Sequence, residues 1–454
     1  MLIGNGWLVK QERERQIKVR TMPWIGKHLY RLLWRPKPVT NDASDNMHQF
    51  WVQGSGGGKT RNAAHIIQDT YDAGGGGIII DAIGALRTYA LRFFASRQLP
   101  ADKCIVIDPT LPRSLGHPIL KLIDGNGEEI DPYELVEKMV VATALLSETR
   151  YGAGFRQLDL GRRAFHTIQK SGRPMTDLDD FLMDEKIRDA ILRQADDAAM
   201  DRFWKGYVPK LPKDAVEALR NKWSGLFTSP LTRPFFASRN GTVDIFEAMQ
   251  NGVWIIVNLS ENRLEGELRS LFGQLIQCAL KTATLQREGV EERPPYLALF
   301  DEYQQYKSTL THNDLLRTSR NMGLGVCLFC QDTGSFTDQE FYALTNNCDT
   351  VGVGKCADHD GKAMAAVTLH PRGNTYKDWE ETRTNSINDE LAAYAHLLDT
   401  MPAGRSFVRV RPKFAGWYVE LPYVEYPEPN PALEREFLEA VAKRWFWKPS
   451  RKTS

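Results

Sequence analysis

Residues 53–60 read Gln-Gly-Ser-Gly-Gly-Gly-Lys-Thr, an order of residue types suited to holding a chain of phosphates. Without a Cβ, Gly54, Gly56, Gly57 and Gly58 can turn successive backbone N–H groups, with that of Ser55, onto one anion. Lys59 then reaches the β- and γ-phosphates, and Thr60 offers its hydroxyl to Mg2+. A helix starting near Lys59 aims the positive end of its dipole at the same charge. The expected ligands are therefore ATP, with GTP as the other nucleotide the loop admits, and Mg2+. One position departs from the usual pattern: Gln53 stands where a first glycine is expected, five residues before Gly58. The plain alternative is a glycine-rich turn carrying a solvated lysine.

A second set of groups completes a hydrolytic site. Residues 296–300, Tyr-Leu-Ala-Leu-Phe, run directly into Asp301 and Glu302, so an apolar strand ends in two carboxylates. Ligands of open α/β sheets bind at the carboxyl ends of the strands. Asp301 is expected to hold Mg2+ and Glu302 to act as general base on the attacking water. Downstream, Arg320 falls in a helix-to-strand turn and Gln331 at the end of the next apolar strand. If that strand lies beside the one bearing Asp301, Gln331 emerges near the γ-phosphate as a polar sensor. Arg320 is then a candidate to reach a neighbouring subunit's nucleotide, the alternative being an ion pair with a local carboxylate such as Asp314.

These residues need a sheet to carry them. The strand 48–52, the loop and a helix through residue 72 supply the strand, loop and helix that the phosphate motif requires. Residues 78–81 and 104–107 read as fully apolar strands separated by a helix, the pattern of a parallel sheet covered on both faces. From residue 132 to 250 the spacing turns helical and strand signals nearly vanish. Strands resume at 253–258, 296–300, 326–330 and 351–353, with a helix at 388–398 and strands at 407–411 and 417–421. The polar stretch 372–388 reads as an exposed loop.

The expected fold is α/β, a RecA-like P-loop core of mostly parallel strands with helices on both faces and an all-α insertion. Its parts are a basic, aromatic segment (1–47), a nucleotide-binding domain in two pieces (48–130 and 251–425), the helical insertion (131–250), and a C-terminal helix with a basic tail (426–454). At 454 residues the chain exceeds the size of a single ordinary core.

Charge is balanced, with 58 Lys+Arg against 57 Asp+Glu, so any contact with DNA must come from a local surface. No apolar run reaches membrane-spanning length and no secretory leader is evident, and six cysteines are sparse for this length. The expected location is cytoplasmic. Residues 1–40 hold nine Lys/Arg against two Glu, interleaved with Trp7, Trp24, Tyr30 and Trp34. The tail from Lys443 repeats this with Arg444, Trp445, Phe446, Trp447, Lys448, Arg451 and Lys452. Either end suits peripheral contact with an anionic membrane or nucleic acid, or packing of its aromatics onto the body. Cys327, Cys330, Cys356 and His359 can be written as a zinc set. Cys327 and Cys330 are three apart in an apolar strand, however, so their thiols are expected to point to opposite faces.

The combination of GSGGGKT (54–60), YLALFDEYQQY (296–306), TSRNMGLGVCLFCQD (318–332) and NNCDTVGVG (346–354) resembles the HerA/FtsK superfamily of ring-shaped DNA motors. Within it, the chain is most similar to the TraG/TraD-like coupling ATPases of conjugative type IV secretion. GVWIIVNLSE (252–261) and MPAGRS (401–406) extend the likeness over roughly residues 48 to 420. The resemblance implies an ATP-driven DNA translocase acting as a ring, a hexamer, with nucleotide between subunits and DNA in a central channel. It assigns Arg320 as the finger supplied in trans and Gln331 as the sensor, and it makes relaxase or secretion-channel proteins the expected partners. DNA-end processing and genome packaging are nearby settings for the same motor. A nucleotide-binding recruitment scaffold with little turnover is the reading from another class, favoured by Gln53. Two further departures are the lack of N-terminal membrane helices and Asp81-Ala82-Ile83-Gly84 in place of the family's Asp-Pro-Lys-Gly.

Overall fold

The computed structural model describes residues 2–8, 37–40, 48–108, 155–236, 244–260, 264, 266–308, 314–369, 374–378, 381–411 and 416–445. In chain order the strands are β1 (Leu2–Leu8), β2 (Lys37–Thr40), β3 (Gln49–Val52), β4 (Gly76–Asp81), β5 (Cys104–Ile107), β6 (Trp254–Asn258) and β7 (Tyr296–Asp301). There follow β8 (Leu324–Cys330), β9 (Thr350–Val353), β10 (Asn374–Asp378), β11 (Glu381–Asn385), β12 (Arg405–Val410) and β13 (Gly416–Glu420). The helices used below are α1 (Lys59–Asp72), α2 (Ala85–Ser96), α3 (Phe155–Lys170), α4 (Lys213–Thr228), α5 (Gly266–Gln286), α6 (Asp338–Asn347), α7 (Asp358–Leu369) and α8 (Pro431–Trp445).

One 11-stranded sheet runs in the order β2-β1-β13-β12-β9-β3-β8-β7-β4-β6-β5. From β9 to β5 every neighbouring pair is parallel, and from β9 outward through β12, β13, β1 and β2 every pair is antiparallel. The parallel strands are apolar on both sides because both sides are covered. Phe50, Ile80, Ile255, Phe300 and Leu328 face one core, lined by α3, α4, α5, α6 and α7. Trp51, Ile79, Ile256, Leu299 and Phe329 face the other, under α1, α2 and α8. Each large side chain buried this way contributes about 1.5–3 kcal/mol. This is the mostly parallel, doubly covered P-loop sheet expected from the sequence.

Among the described residues between 155 and 250 only helices occur. Phe165, Trp223 and Phe227 form their own aromatic cluster, and Phe236 joins it to α5 through Phe272, with ring centroids 6.4 Å apart. The helix expected at 134–146 lies outside the described residues. So do Trp24, Tyr30, Trp34, Phe446, Trp447, Lys448, Arg451 and Lys452. Trp445 packs inward, its Nε1 donating to Ala101 O at 3.0 Å.

One expectation needs correction. Where a loop was expected at 372–388, the described residues hold two strands: β10 and β11 pair as a separate antiparallel ribbon, with Thr375 opposite Thr384 and Lys377 opposite Thr382, and a helix starts at Ile387. The β-branched threonines suit extended backbone, and a ribbon away from the sheet needs no apolar face to advertise it. The N-terminal segment contributes two strands that the sequence did not signal. β1 pairs with β13, placing Trp7 opposite Tyr418, and β2 pairs with β1. No helix among the described residues is long and apolar enough to cross a membrane.

Candidate nucleotide site

The glycine loop leaves β3 at the carboxyl edge of the sheet and enters α1 at Lys59. Its glycines are required by close approach of other backbone. Gly54 N–H donates to Lys355 O at 2.7 Å, and a Cβ at Gly54 would stand 3.1 Å from that same oxygen. At Gly58, whose φ is +96°, a Cβ would stand 3.0 Å from Gly404 N. Lys355, after β9, and Gly404, before β12, therefore brace the loop from two sides.

Gln53 does not intrude on this cradle. Its side chain is 0% exposed, with Nε2 donating to Ser406 Oγ at 3.3 Å and lying beside Gly354. Its backbone N–H donates to Cys330 O at 3.0 Å. The departure at the first loop position is thus a buried contact between β3 and β12, and it leaves Lys59 and Thr60 in place.

The order of the central strands brings the remaining groups to the same edge. β8 lies between β3 and β7, with Phe300 in register with Leu328 and Val52 with Cys330. Gln331, exposed, follows β8 between the loop and the acidic pair. Asp301 and Glu302 are buried. Lys59 Nζ pairs with Glu302 Oε1 and lies 3.9 Å from Asp301 Oδ1. Burial pushes the Asp301 carboxyl up to about 7; Lys59 opposes the shift, and Asp81 and Glu302 add to it. Asp301 Oδ1 is buried without a hydrogen-bond partner, so it retains a free acceptor. Asp301 and the Thr60 hydroxyl are oxygen groups of the kind that could hold a hard divalent cation.

Glu302 is held in a left-handed conformation with φ of 50°, which a residue with a Cβ adopts only under constraint. The constraint is visible. Tyr306 Oη donates to Asp301 O at 2.8 Å and can reach Ile80 O at 3.1 Å. From α5, Gln277 Nε2 donates to Tyr306 O at 2.8 Å. Gln304 Nε2 donates to Glu302 Oε2, so both carboxylate oxygens are engaged. Beside them Asp81 accepts backbone N–H groups from Ile83, Gly84 and Arg87 at 2.8, 2.8 and 2.6 Å. The Asp-Ala-Ile-Gly segment therefore anchors the start of α2, and Arg87 pairs with the buried Asp108 at 2.6 Å.

Arg320 lies elsewhere. It precedes β8, whereas Gln331 follows it, and the 7 residues of that strand span about 20 Å. Within one chain Arg320 is therefore at the opposite end of the sheet from Lys59. Its guanidinium pairs with Asp349, and Asp314 pairs instead with Lys281. Arg409 Nη2 donates to Thr345 O at 2.5 Å, and Arg411 to Asn346 O. His48 is buried nearby and accepts from Val326 N–H at 3.1 Å through Nδ1. Burial, aided by the Arg320 charge, lowers its pKa to about 3.

Sequence reasoning missed the braces at Lys355 and Gly404 and the partner Asp349. The first two act through backbone atoms, so residue type carries little sign of them, although both stand at motifs already noted. Cys327 and Cys330 lie on opposite faces of the sheet, and no cluster among the described residues suits a metal held by His, Cys, Asp and Glu alone.

No protein-family model matches the sequence, and no curated protein matches it. Solved structures do. The unbound form of the bacterial conjugative coupling protein TrwBΔN70 superposes with a TM-score of 0.66 at 16% identity, covering 87% of this chain and 89% of that one. TrwB in complex with a non-hydrolysable ATP analogue gives 0.65 at 16% identity, over 90% and 94%. VirB4 of Thermoanaerobacter pseudethanolicus gives 0.51 at 11% identity, over 87% and 95%. At these identities the likeness is one of fold: this chain carries the P-loop ATPase fold of the conjugative coupling protein TrwB, the architecture that its HerA/FtsK-like motifs resemble.

Proposed function

We propose that the chain is an ATP-driven DNA translocase, a coupling ATPase of conjugative or mobile-element DNA transfer, hydrolysing ATP between the subunits of a ring. The observation that carries this reading is the placement of charge along β8. The loop, Lys59, Asp301, Glu302 and Gln331 gather at one end, and Arg320 sits a strand length away at the other, out of reach of its own chain's loop and open to serve a second copy.

In this reading the loop N–H groups not engaged by backbone, those of Ser55, Gly56, Gly58, Lys59 and Thr60, bind the phosphates, and Lys59 moves from the carboxylates to the β- and γ-phosphates. Thr60 and Asp301 hold Mg2+, which when bound offsets phosphate charge. Lys59 binding to phosphate frees Glu302 Oε1 to accept a proton from water, while Gln304 keeps the carboxylate oriented. Gln331 hydrogen-bonds that water or the γ-phosphate. Arg320 of the neighbour exchanges Asp349 for the charge developing in transition. Neighbouring subunits then shift, and DNA moves through the channel. A hexamer in the cytoplasm, with peripheral membrane contact through the basic ends and with relaxase or secretion-channel partners, completes the proposal.

ATPase rate measured with and without single- and double-stranded DNA tests it against a recruitment scaffold. Stimulation by DNA, abolished in Lys59→Ala, is expected. A rate that is negligible and indifferent to every DNA would leave the scaffold.

A further inference from the structure

Arg61, in the first turn of α1, directly follows Thr60, and its guanidinium lies over the ring of Tyr423 at 4.9 Å from the centroid. Tyr423 is nonetheless 76% exposed, more than any other large hydrophobic side chain among the described residues. The segment that bears it is fastened to the phosphate loop. Leu421 N–H donates to Gly404 O at 2.8 Å, and Gly404 N–H donates to Gly57 O at 3.4 Å. Three residues on, Tyr426 meets Tyr89 of α2 edge to face, with centroids 4.9 Å apart. An open aromatic ring is thus held beside the phosphate cradle by a cation at its base, and no step of the proposed hydrolysis uses it.

We propose that Tyr423 is the platform on which the base of the bound nucleotide stacks, with Arg61 orienting the ring and Tyr426 lining the floor toward the phosphates. The inference rests on the nucleotide-site reading above. Phosphates bound to the loop leave the ribose and base to extend along the start of α1, the side that Arg61 and Tyr423 occupy. Stacking reads the π-face of a base and not its hydrogen-bonding edge, so ATP and GTP are expected to use the platform alike. Tyr423 is in this sense a binding residue for the purine nucleoside, distinct from the groups that hold phosphate.

Calorimetric titration of the full chain with ATP, GTP and inorganic tripolyphosphate, each with Mg2+, tests the assignment. Tyr423→Ala is expected to weaken ATP and GTP about tenfold while leaving tripolyphosphate unchanged, and Tyr423→Phe is expected to retain the affinity of the parent. Equal weakening of tripolyphosphate, or no weakening of ATP, would overturn the platform. So would loss of single-stranded oligonucleotide binding with ATP binding intact, which would give the ring to nucleic acid. Lys59→Ala separates the two levels: it is expected to lose ATP and tripolyphosphate together, and its losing neither would remove the phosphate site and the platform with it.

Discussion

At the carboxyl end of β8, a lysine stands against the buried carboxylates of Asp301 and Glu302 at the end of β7, and the arginines nearby have occupations of their own. Arg61 lies over Tyr423, Arg87 pairs with Asp108 and Arg405 with Glu420. At the amino end of the same strand the proportions reverse, with Arg320 paired to Asp349 and Arg409 and Arg411 donating to the carbonyls of residues 345 and 346. The first end can hold a phosphate chain and activate water. The second carries an excess of positive charge. A rigid sheet keeps the two ends apart, so a site that needs both must be assembled from two copies.

The contrast is broken most sharply at the basic end. Arg320→Ala is expected to lower the ATPase rate by about 10³ to 10⁵ with ATP affinity retained, as read from turnover and calorimetry on the same preparation. Arg320→Lys keeps a cation beside Asp349 but lacks the guanidinium fork. It should be as stable as the parent in denaturant and still slow, and full activity would reduce Arg320 to a structural ion pair. At the acidic end, Glu302→Gln is expected to lower turnover by about 10² to 10⁴ while still binding ATP. An unchanged rate would move the general base elsewhere.

A smaller effect separates the two ends by pH. His48 holds its imidazole neutral in the fold down to about 3, whereas the unfolded chain protonates near 6.5. The folded pKa is depressed, so the stabilisation is full above about pH 6.5 and declines as pH falls toward 3, by about 1.4 kcal/mol per unit for one proton. Asn at this position can still accept from Val326 N–H but does not titrate. Urea midpoints at pH 7.5, 6.0 and 5.0 should therefore fall less steeply for His48→Asn than for the parent, and parallel declines would remove His48 from the account.

Which parts were legible in the sequence follows the same division. The glycine loop and the strand ending in Asp301 and Glu302 are local patterns, and their elements lie where those patterns put them. The neighbour relation of β7 and β8 was a condition that only tertiary structure could supply. Asp349 went unrecognised because it stands just before β9, two strands from β8 in the sheet and 29 residues from Arg320 in the chain, while the nearer Asp314 is taken by Lys281. β1 and β2 were missed because they are antiparallel additions at the sheet margin, where no continuous apolar run is needed. The β10–β11 ribbon was hidden because its sequence carries no apolar run.

The central claim is that each hydrolytic site takes Lys59 from one copy and Arg320 from the next. Mixing Arg320→Ala subunits with Lys59→Ala subunits, each inactive alone, tests it directly through ATPase rate. Some mixed interfaces then join an intact Lys59 to an intact Arg320, and activity should reappear in part, greatest near equal proportions. A mixture that stays as inactive as its components at every ratio would contradict the shared site and return the search to the arginines beside the loop.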